Sequence, residues 1–107
     1  MKDKINILFV CGYGVGSSVM LQIVVKKALA KYNFKFDMEH TAAGEVGGFA
    51  EWTDIYAISK KLIDVVSIDP KNGQYLIPIE NIMDGDTIGA QILEVVKQHF
   101  PHLLSES

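Results

Sequence analysis

The chain has 107 residues, enough for one domain with a single hydrophobic core, and 49% of them are apolar. Its formal net charge is −3 and it has no basic block, which argues against nucleic acid or an anionic membrane surface as the main partner. A single cysteine cannot form an internal disulfide, and the apolar stretch near the N-terminus is too short for a signal peptide or a membrane span, so we expect one cytoplasmic domain over residues 1–107.

The first predicted element is a strand that leads into a glycine-rich loop. Nearly all residues from Ile5 to Val10 are apolar, as in a parallel strand covered on both faces. Glycines let a loop backbone come close to a ligand, and the free N–H groups of a following helix attract anions. The segment therefore predicts a phosphate-binding loop. It consists of Cys11, Gly12, Tyr13, Gly14, Val15, Gly16, Ser17 and Ser18.

The cysteine at the mouth of this loop is a candidate nucleophile. The positive end of a helix dipole favours thiolate over thiol, and the thiolate is the reactive form. Our hypothesis is that Cys11 accepts a phosphoryl group and that residues 12–18 hold it. The alternative is a small buried hydrophobe, which free cysteines often are, but the position after a strand and inside such a loop favours the functional interpretation.

A helix is predicted after the loop, from about Ser17 to about Lys31. Val19 and Ile23 are apolar but fall on its polar side, close to the loop. They are either scattered surface hydrophobes, which are normal, or part of a docking patch beside Cys11, and their location favours docking. Two apolar rows are predicted to face the core, Met20-Val24-Ala28 and Leu21-Val25-Leu29.

The next segment alternates between apolar and charged residues from Phe34 to His40, which predicts an edge strand with one buried and one wet face. His40 shares the apolar phase and lies at the end of the strand nearest the loop. We expect a partly buried histidine with satisfied hydrogen bonds. A role in tuning Cys11 is the less favoured alternative.

Two more strands are predicted in the second half. Residues 41–52 contain three glycines, so only a short or irregular helix is expected there. Ile55–Ile58 is a short apolar strand, followed by a turn of helix. A turn at Asp69–Gly73 then leads into a fourth strand at Tyr75–Ile79, in which Pro78 lacks an N–H group and therefore requires a sheet edge.

Two edge strands, the second and the fourth, set the predicted topology. The order 2-1-3-4 satisfies both with right-handed crossovers, so we expect a three-layer α/β fold, Rossmann-like, with an open sheet of four parallel strands. Ligands of such sheets bind outside the carboxyl ends of the strands, here next to Cys11. The loop that contains Met83 lies at the same rim, and Asp84 or Asp86 caps the last helix. The residues of that helix predicted to face the sheet are Ile88, Ile92, Val95 and Val96.

Other loop chemistries fit the sequence less well. A Walker loop needs a lysine after its last glycine, but Gly16 is followed by two serines. A dinucleotide fingerprint needs G-x-G-x-x-G, and the spacing here is one residue short. Low-molecular-weight tyrosine phosphatases resemble this chain in topology and in the place of the cysteine, and Asp69-Pro70 resembles their general-acid dipeptide. Ser17 stands where their loop has an arginine, without which the charge of the transition state is poorly stabilised.

Four segments carry a family resemblance over almost the whole chain. They are the loop Cys11–Ser18, Ala43-Gly44-Glu45, Asn81-x-Met83 and the ending Leu93–Pro101. In these segments the chain resembles IIB subunits of the bacterial phosphoenolpyruvate-dependent sugar phosphotransferase system (PTS), of the lactose, ascorbate and galactitol group, and most of all the ascorbate type.

The resemblance implies a phosphotransferase with a phosphocysteine intermediate and without a metal or other cofactor. A IIA protein presents phosphohistidine, the Cys11 thiolate attacks its phosphorus, and the amides of residues 13–18 with the Ser17 and Ser18 hydroxyls hold the product. The membrane subunit IIC then offers its bound sugar, L-ascorbate in this branch, while the IIB subunit itself does not enter the membrane. Docking requires a partly apolar rim, although each candidate could equally pack in the core of its own domain. The candidates are Tyr13, Val15, Val19, Ile23 and Met83, with Phe49 and Trp52 as additions.

Two functions of other classes stay open. The first is a thiol phosphatase or arsenate-reductase-like enzyme, which would hydrolyse p-nitrophenyl phosphate. The second is a non-catalytic phospho-regulatory module, which would not accept phosphate from a phosphorylated donor protein.

Overall fold

The computed structural model describes residues 4–11, 14–32, 34–63, 73–80 and 84–101. These residues contain four strands and two α-helices, with a short 3-10 helix after the second strand and another after the third. In chain order the elements are β1 Ile5–Cys11, α1 Gly14–Leu29, β2 Phe36–Ala42, the first 3-10 helix Ala43–Phe49, β3 Ile55–Ser59, the second 3-10 helix Lys60–Leu62, β4 Tyr75–Ile79 and α2 Gly85–His99.

The four strands form one parallel sheet in the order β2-β1-β3-β4, which confirms the predicted topology. β1 is central, pairing with β2 from Ile5–Phe36 to Cys11–Ala42 and with β3 along its other side. β4 is an edge strand with the predicted bounds, and Pro78 is exposed there, where its missing N–H group costs no ladder hydrogen bond.

The core has two layers because both faces of the sheet are covered. Alternate residues of β1 pack on opposite sides, so Ile5 to Val10 are all buried, as their apolar run predicts. On one face α1 and α2 pack over Ile5, Ile7 and Phe9. On the other face, Leu8 and Val10 pack with buried residues of β3 and of the two 3-10 helices, namely Tyr56, Ile58, Val46 and Leu62.

The two α-helices approach each other closely at two glycines of α2. A Cβ atom at Gly85 would lie 2.6 Å from the backbone oxygen of Val24, and one at Gly89 would lie 2.9 Å from the Cβ of Ala28. Side chains at these positions would push the helices apart, so the small residues set the distance between α1 and α2.

Two predictions for α1 are wrong. The helix begins at Gly14, not near Ser17, so it takes in two of the three glycines assigned to the loop. Met20 is 46% exposed and does not belong to the core-facing stripe, whereas Leu21, Val25, Ala28 and Leu29 are buried. The reason is the position at which α2 begins. Its first residue, Gly85, lies opposite Val24, so no turn of α2 lies opposite Met20.

The remaining elements follow the sequence with small differences. The glycine-containing segment after β2 is the predicted short helix, of the 3-10 type. In α2, Ile88, Ile92 and Val96 are buried as expected, while Val95 is half-buried. The turn predicted at Asp69–Gly73 lies outside the described residues except for Gly73, whose φ of 92° is typical of a glycine in a turn.

Candidate functional site

Cys11 is the last residue of the central strand and pairs with Ala42 of β2. Only residues 12 and 13 separate it from the start of α1 at Gly14. The chain therefore passes from β1 into α1 at the carboxyl edge of the sheet, beside the point where β2 and β3 diverge to the two sides of β1. Open α/β sheets bind ligands at such a switch point. The predicted strand before the loop and the predicted helix after it are both present.

The first turn of α1 supplies backbone donors beside this strand end. The N–H groups of Gly14, Val15 and Gly16 belong to the first four of the helix, which have no partner inside it. No acidic side chain lies in this turn, so no carboxylate of the turn itself offsets the positive end of the helix dipole. The N–H group of Ser18 is different, because a helix that begins at Gly14 pairs it with the carbonyl group of Gly14.

Several predicted site residues fall outside the described part of the structure. Gly12, Tyr13 and Met83 are not among the described residues. For Cys11 and for residues 14–19, only the backbone is described. The predicted roles of these side chains, including those of Ser17, Ser18 and Val19, stay predictions.

His40 lies near the same edge and is half-buried, as predicted. Its Nδ1 atom is 2.8 Å from Oε1 of Gln22 on α1, so the histidine has a hydrogen-bond partner. The contact joins α1, the helix that follows β1 in the chain, to β2, the strand that pairs with β1. No sequence pattern indicated this pair, because residues 22 and 40 meet only when α1 packs across β2.

A cleft of about 300 Å³ opens at the carboxyl end of β4 and the start of α2. The side chains of Lys60 and Glu80 in its wall form an exposed ion pair of 2.9 Å. Asp84 caps α2 by accepting a hydrogen bond from the N–H of Thr87 at 3.2 Å, which confirms one of the two predicted caps. The cleft combines three separate segments, so the sequence pattern alone did not indicate it.

No three His, Cys, Asp or Glu side chains in the described part of the chain lie close enough together to hold a metal ion. None of the helices described is both long and apolar enough to cross a membrane.

The family model of the PTS system lactose/cellobiose-specific IIB subunit matches residues 6–94. This chain belongs to that IIB family. The match begins in β1 and ends in α2, so it includes every strand of the sheet and the strand–loop–helix unit at Cys11.

Relatives of the IIB family align over most of the chain. It is 30% identical over 97 residues to the ascorbate-specific PTS system EIIB component of Salmonella typhimurium, an alignment that covers 91% of this chain and 94% of that protein. The protein of the same description from Escherichia coli O157:H7 is 29% identical over the same length. The solution structure of a cellobiose-specific phosphotransferase IIB component from Borrelia burgdorferi has a TM-score of 0.53 and 24% identity, covering 96% of this chain and 97% of that one, and it supports the fold.

The predicted docking residues of this IIB chain divide into two groups. Ile23 is 45% exposed on α1, and Met20 is exposed beside it although it was predicted to be buried. Phe49 and Trp52 are half-buried in the layer on the other face of the sheet, with ring centroids 6.1 Å apart in an edge-on contact. Their contacts favour a packing role for these two aromatic residues.

Proposed function

We propose that this chain is the phosphoryl carrier of a sugar phosphotransferase system and that Cys11 is the residue that carries the phosphoryl group. The observation that supports this most is the place of the only cysteine, at the end of the central strand and separated from the N-terminus of α1 by two residues. Membership of the IIB family supports the phosphotransferase class. The loop residues 12–18 are proposed as the phosphate-binding segment.

In the first step, the thiolate of Cys11 attacks the phosphorus of a phosphohistidine on a IIA partner. The sulfur–phosphorus bond forms while the phosphorus–nitrogen bond breaks, and the released imidazole nitrogen takes up a proton from water. The N–H groups of Gly14, Val15 and Gly16 are donors that can stabilise charge on the transferring oxygens. Because the N–H of Ser18 is used inside the helix, its proposed contribution is limited to its hydroxyl group.

In the second step, a hydroxyl group of a sugar bound by the membrane subunit IIC attacks the phosphocysteine. The sulfur–phosphorus bond breaks, the thiolate of Cys11 is restored, and the hydroxyl proton leaves to solvent. We propose L-ascorbate as the sugar because the aligned relatives are described as ascorbate-specific. The exchange would take place on the cytoplasmic side of the membrane.

Both steps need a transient complex at the carboxyl edge of the sheet. We propose that Met20 and Ile23, which are exposed near the middle of α1, belong to the docking surface. Val19 and Met83 remain proposed members from the sequence. Large apolar side chains that stay exposed near a reactive group are typical of a surface that a partner covers.

The test is discharge of the phosphorylated protein by membranes that contain the ascorbate IIC subunit. The protein is first phosphorylated by its IIA donor and freed from it, and then mixed with membranes and either L-ascorbate or cellobiose. Loss of protein-bound phosphate with formation of ascorbate phosphate, and retention with cellobiose, is expected. Release of inorganic phosphate without any sugar would contradict the carrier function and favour a thiol phosphatase.

A further inference from the structure

Two large apolar side chains stay exposed on the outer surface of α1. Met20 is 46% exposed and Ile23 is 45% exposed, and among the described residues they are the only large hydrophobic side chains in this state. They are three residues apart, so they are neighbours on the surface of the helix. Because α2 begins opposite Val24, its turns leave this part of α1 uncovered.

The same part of α1 is positively charged. Lys26 and Lys27 follow Ile23 by three and four residues, so the helix places both lysines next to the apolar pair. Both are exposed, and the sequence of α1 contains no acidic residue. Among the described residues, no carboxylate forms an ion pair with either lysine. The α1 face made of Met20, Ile23, Lys26 and Lys27 is therefore basic, although the chain as a whole has a net charge of −3.

A groove of about 280 Å³ continues the α1 face toward α2. In its wall Lys31 is paired with Asp86 of α2, with 3.4 Å between Nζ and Oδ1. Lys27 lines the same groove and has no such partner among the described residues, so its ammonium group is available to a carboxylate of another protein. The residues that line the groove are Val24, Lys27, Ala28, Lys31, Gly85 and Asp86.

The charge of the α1 face favours an acidic soluble protein over a membrane subunit. Cytoplasmic loops of membrane proteins carry an excess of lysine and arginine, which would repel Lys26 and Lys27. Clusters that bind anionic lipid have roughly four to eight basic residues, more than the two unpaired lysines here. A symmetric contact between two copies of the α1 face would bring like charges together. An acidic protein surface with an apolar centre complements both the lysines and the apolar pair.

We propose that the α1 face receives the phosphoryl donor, through apolar side chains that cover Met20 and Ile23 and a carboxylate that reaches Lys27. The two lysines make the face specific for the donor, because the membrane subunit gains nothing from them. This inference rests on the proposed function, which supplies the two partners that the face distinguishes. Lys27 lies about 20 Å along α1 from its first residue, so it belongs to the rim of a complex at Cys11, where charges act mainly on association and on the choice of partner.

The test compares Lys27→Glu with the matched control Lys97→Glu. Both lysines are exposed and lie in the last turn of their helix, so each substitution changes the net charge equally and has the same unfavourable interaction with a helix dipole. Gly89 lies opposite Ala28 of α1, and Lys97 is about 12 Å farther along α2. Lys97 is therefore away from the α1 face.

Isothermal titration calorimetry measures the affinity of each unphosphorylated protein for the cognate IIA donor. At low salt we expect Lys27→Glu to bind the donor about three- to tenfold more weakly than the parent, because a repulsion replaces an attraction between exposed charges. At about 0.5 M salt the difference should shrink, since screening weakens both interactions. Lys97→Glu should match the parent at both salt concentrations.

A second measurement separates the donor from the membrane subunit. The phosphorylated proteins are freed from the donor and mixed at low salt with membranes that contain IIC and with L-ascorbate. Lys27→Glu should lose its phosphate at the parent rate. A slower loss in this variant would mean that IIC or the lipid surface also uses the lysines, and it would overturn the inference.

Two other results would also overturn it. The first is equal donor affinity of Lys27→Glu and Lys97→Glu at low salt. The second is a parent dimer in light scattering that becomes monomeric when Met20→Ser and Ile23→Ser are combined, because a second copy of the chain would then cover the face. Phosphate uptake by the parent tests the carrier function separately. Uptake with equal affinities removes only the role of the α1 face, and a weaker donor affinity of Lys27→Glu without uptake by the parent removes only the carrier function.

Discussion

The contact between α1 and α2 at Gly85 is the packing feature most open to a quantitative test. In Gly85→Ala the new Cβ would lie 2.6 Å from the backbone oxygen and 2.9 Å from the backbone carbon of Val24, whereas ordinary contacts of this kind are 3.4 Å or more. The start of α2 must therefore move by about 0.8 Å, the difference between 3.4 and 2.6 Å. Backbone atoms cannot rotate away as a side chain can, so the strain has to spread through the helix pair.

The expected cost is the sum of two opposing effects. Overpacking of this type costs about 1–3 kcal/mol, and the better helix propensity of alanine returns up to about 1 kcal/mol. We therefore expect Gly85→Ala to lower the free energy of unfolding by about 1–2 kcal/mol, which for a domain of this size lowers the melting temperature by roughly 5–10 °C.

Urea unfolding followed by circular dichroism measures this change. The matched control is Gly48→Ala, because a Cβ at Gly48 meets no atom within 4 Å, and its stability should stay within about 0.5 kcal/mol of the parent. A Gly85→Ala protein as stable as Gly48→Ala would refute the close approach of α1 and α2 at this point.

Three other predictions follow from the described side chains. Asp84→Ala removes the cap that accepts hydrogen bonds from the N–H and the hydroxyl of Thr87 at 3.2 and 2.7 Å. Urea unfolding should show that the free energy of unfolding falls by about 1 kcal/mol, and an unchanged value would mean that the cap does not stabilise α2. Burial raises the pKa of Tyr56 above its ordinary value of 10.0, against hydrogen bonds with side chains that lower it. Above about pH 10 the unfolded chain loses this proton before the folded chain does, so the free energy of unfolding should fall as pH rises. In Tyr56→Phe the free energy of unfolding, measured as a function of pH, should fall less steeply. Equal slopes in the parent and the variant would contradict this. Met20→Ser combined with Ile23→Ser should slow phosphorylation by the IIA donor several-fold without loss of stability, since both side chains are exposed, and an unchanged rate would remove the docking surface.

The sheet could be predicted from the sequence because its constraints are local. The nearly unbroken apolar run of β1 indicated a central strand, the alternation in β2 indicated an edge, and Pro78 required a second edge. Together they allowed the order that the structure has. The strand–loop–helix unit at Cys11 followed from the same local pattern, because glycines and the end of a buried strand stand next to each other in the chain.

The errors arose where the answer depends on another part of the molecule. Gly14 and Gly16 have low helix propensity and were assigned to the loop, yet the first turn of α1 includes both. The exposure of Met20 depends on where α2 begins, and the orientation of His40 depends on Gln22 crossing β2. Neither feature can be read from the neighbouring residues in the sequence, because each depends on an element that is distant along the chain.

The identity of the phosphate-bearing residue is tested most directly by the intact mass of the protein after incubation with phosphoenolpyruvate, the general phosphotransferase proteins and the cognate IIA donor. We predict a gain of one phosphate on the parent chain, lost in Cys11→Ser and retained in His99→Gln. A full phosphate on Cys11→Ser, or none on a folded parent chain with an active donor, would contradict the assignment of Cys11 as the phosphoryl carrier.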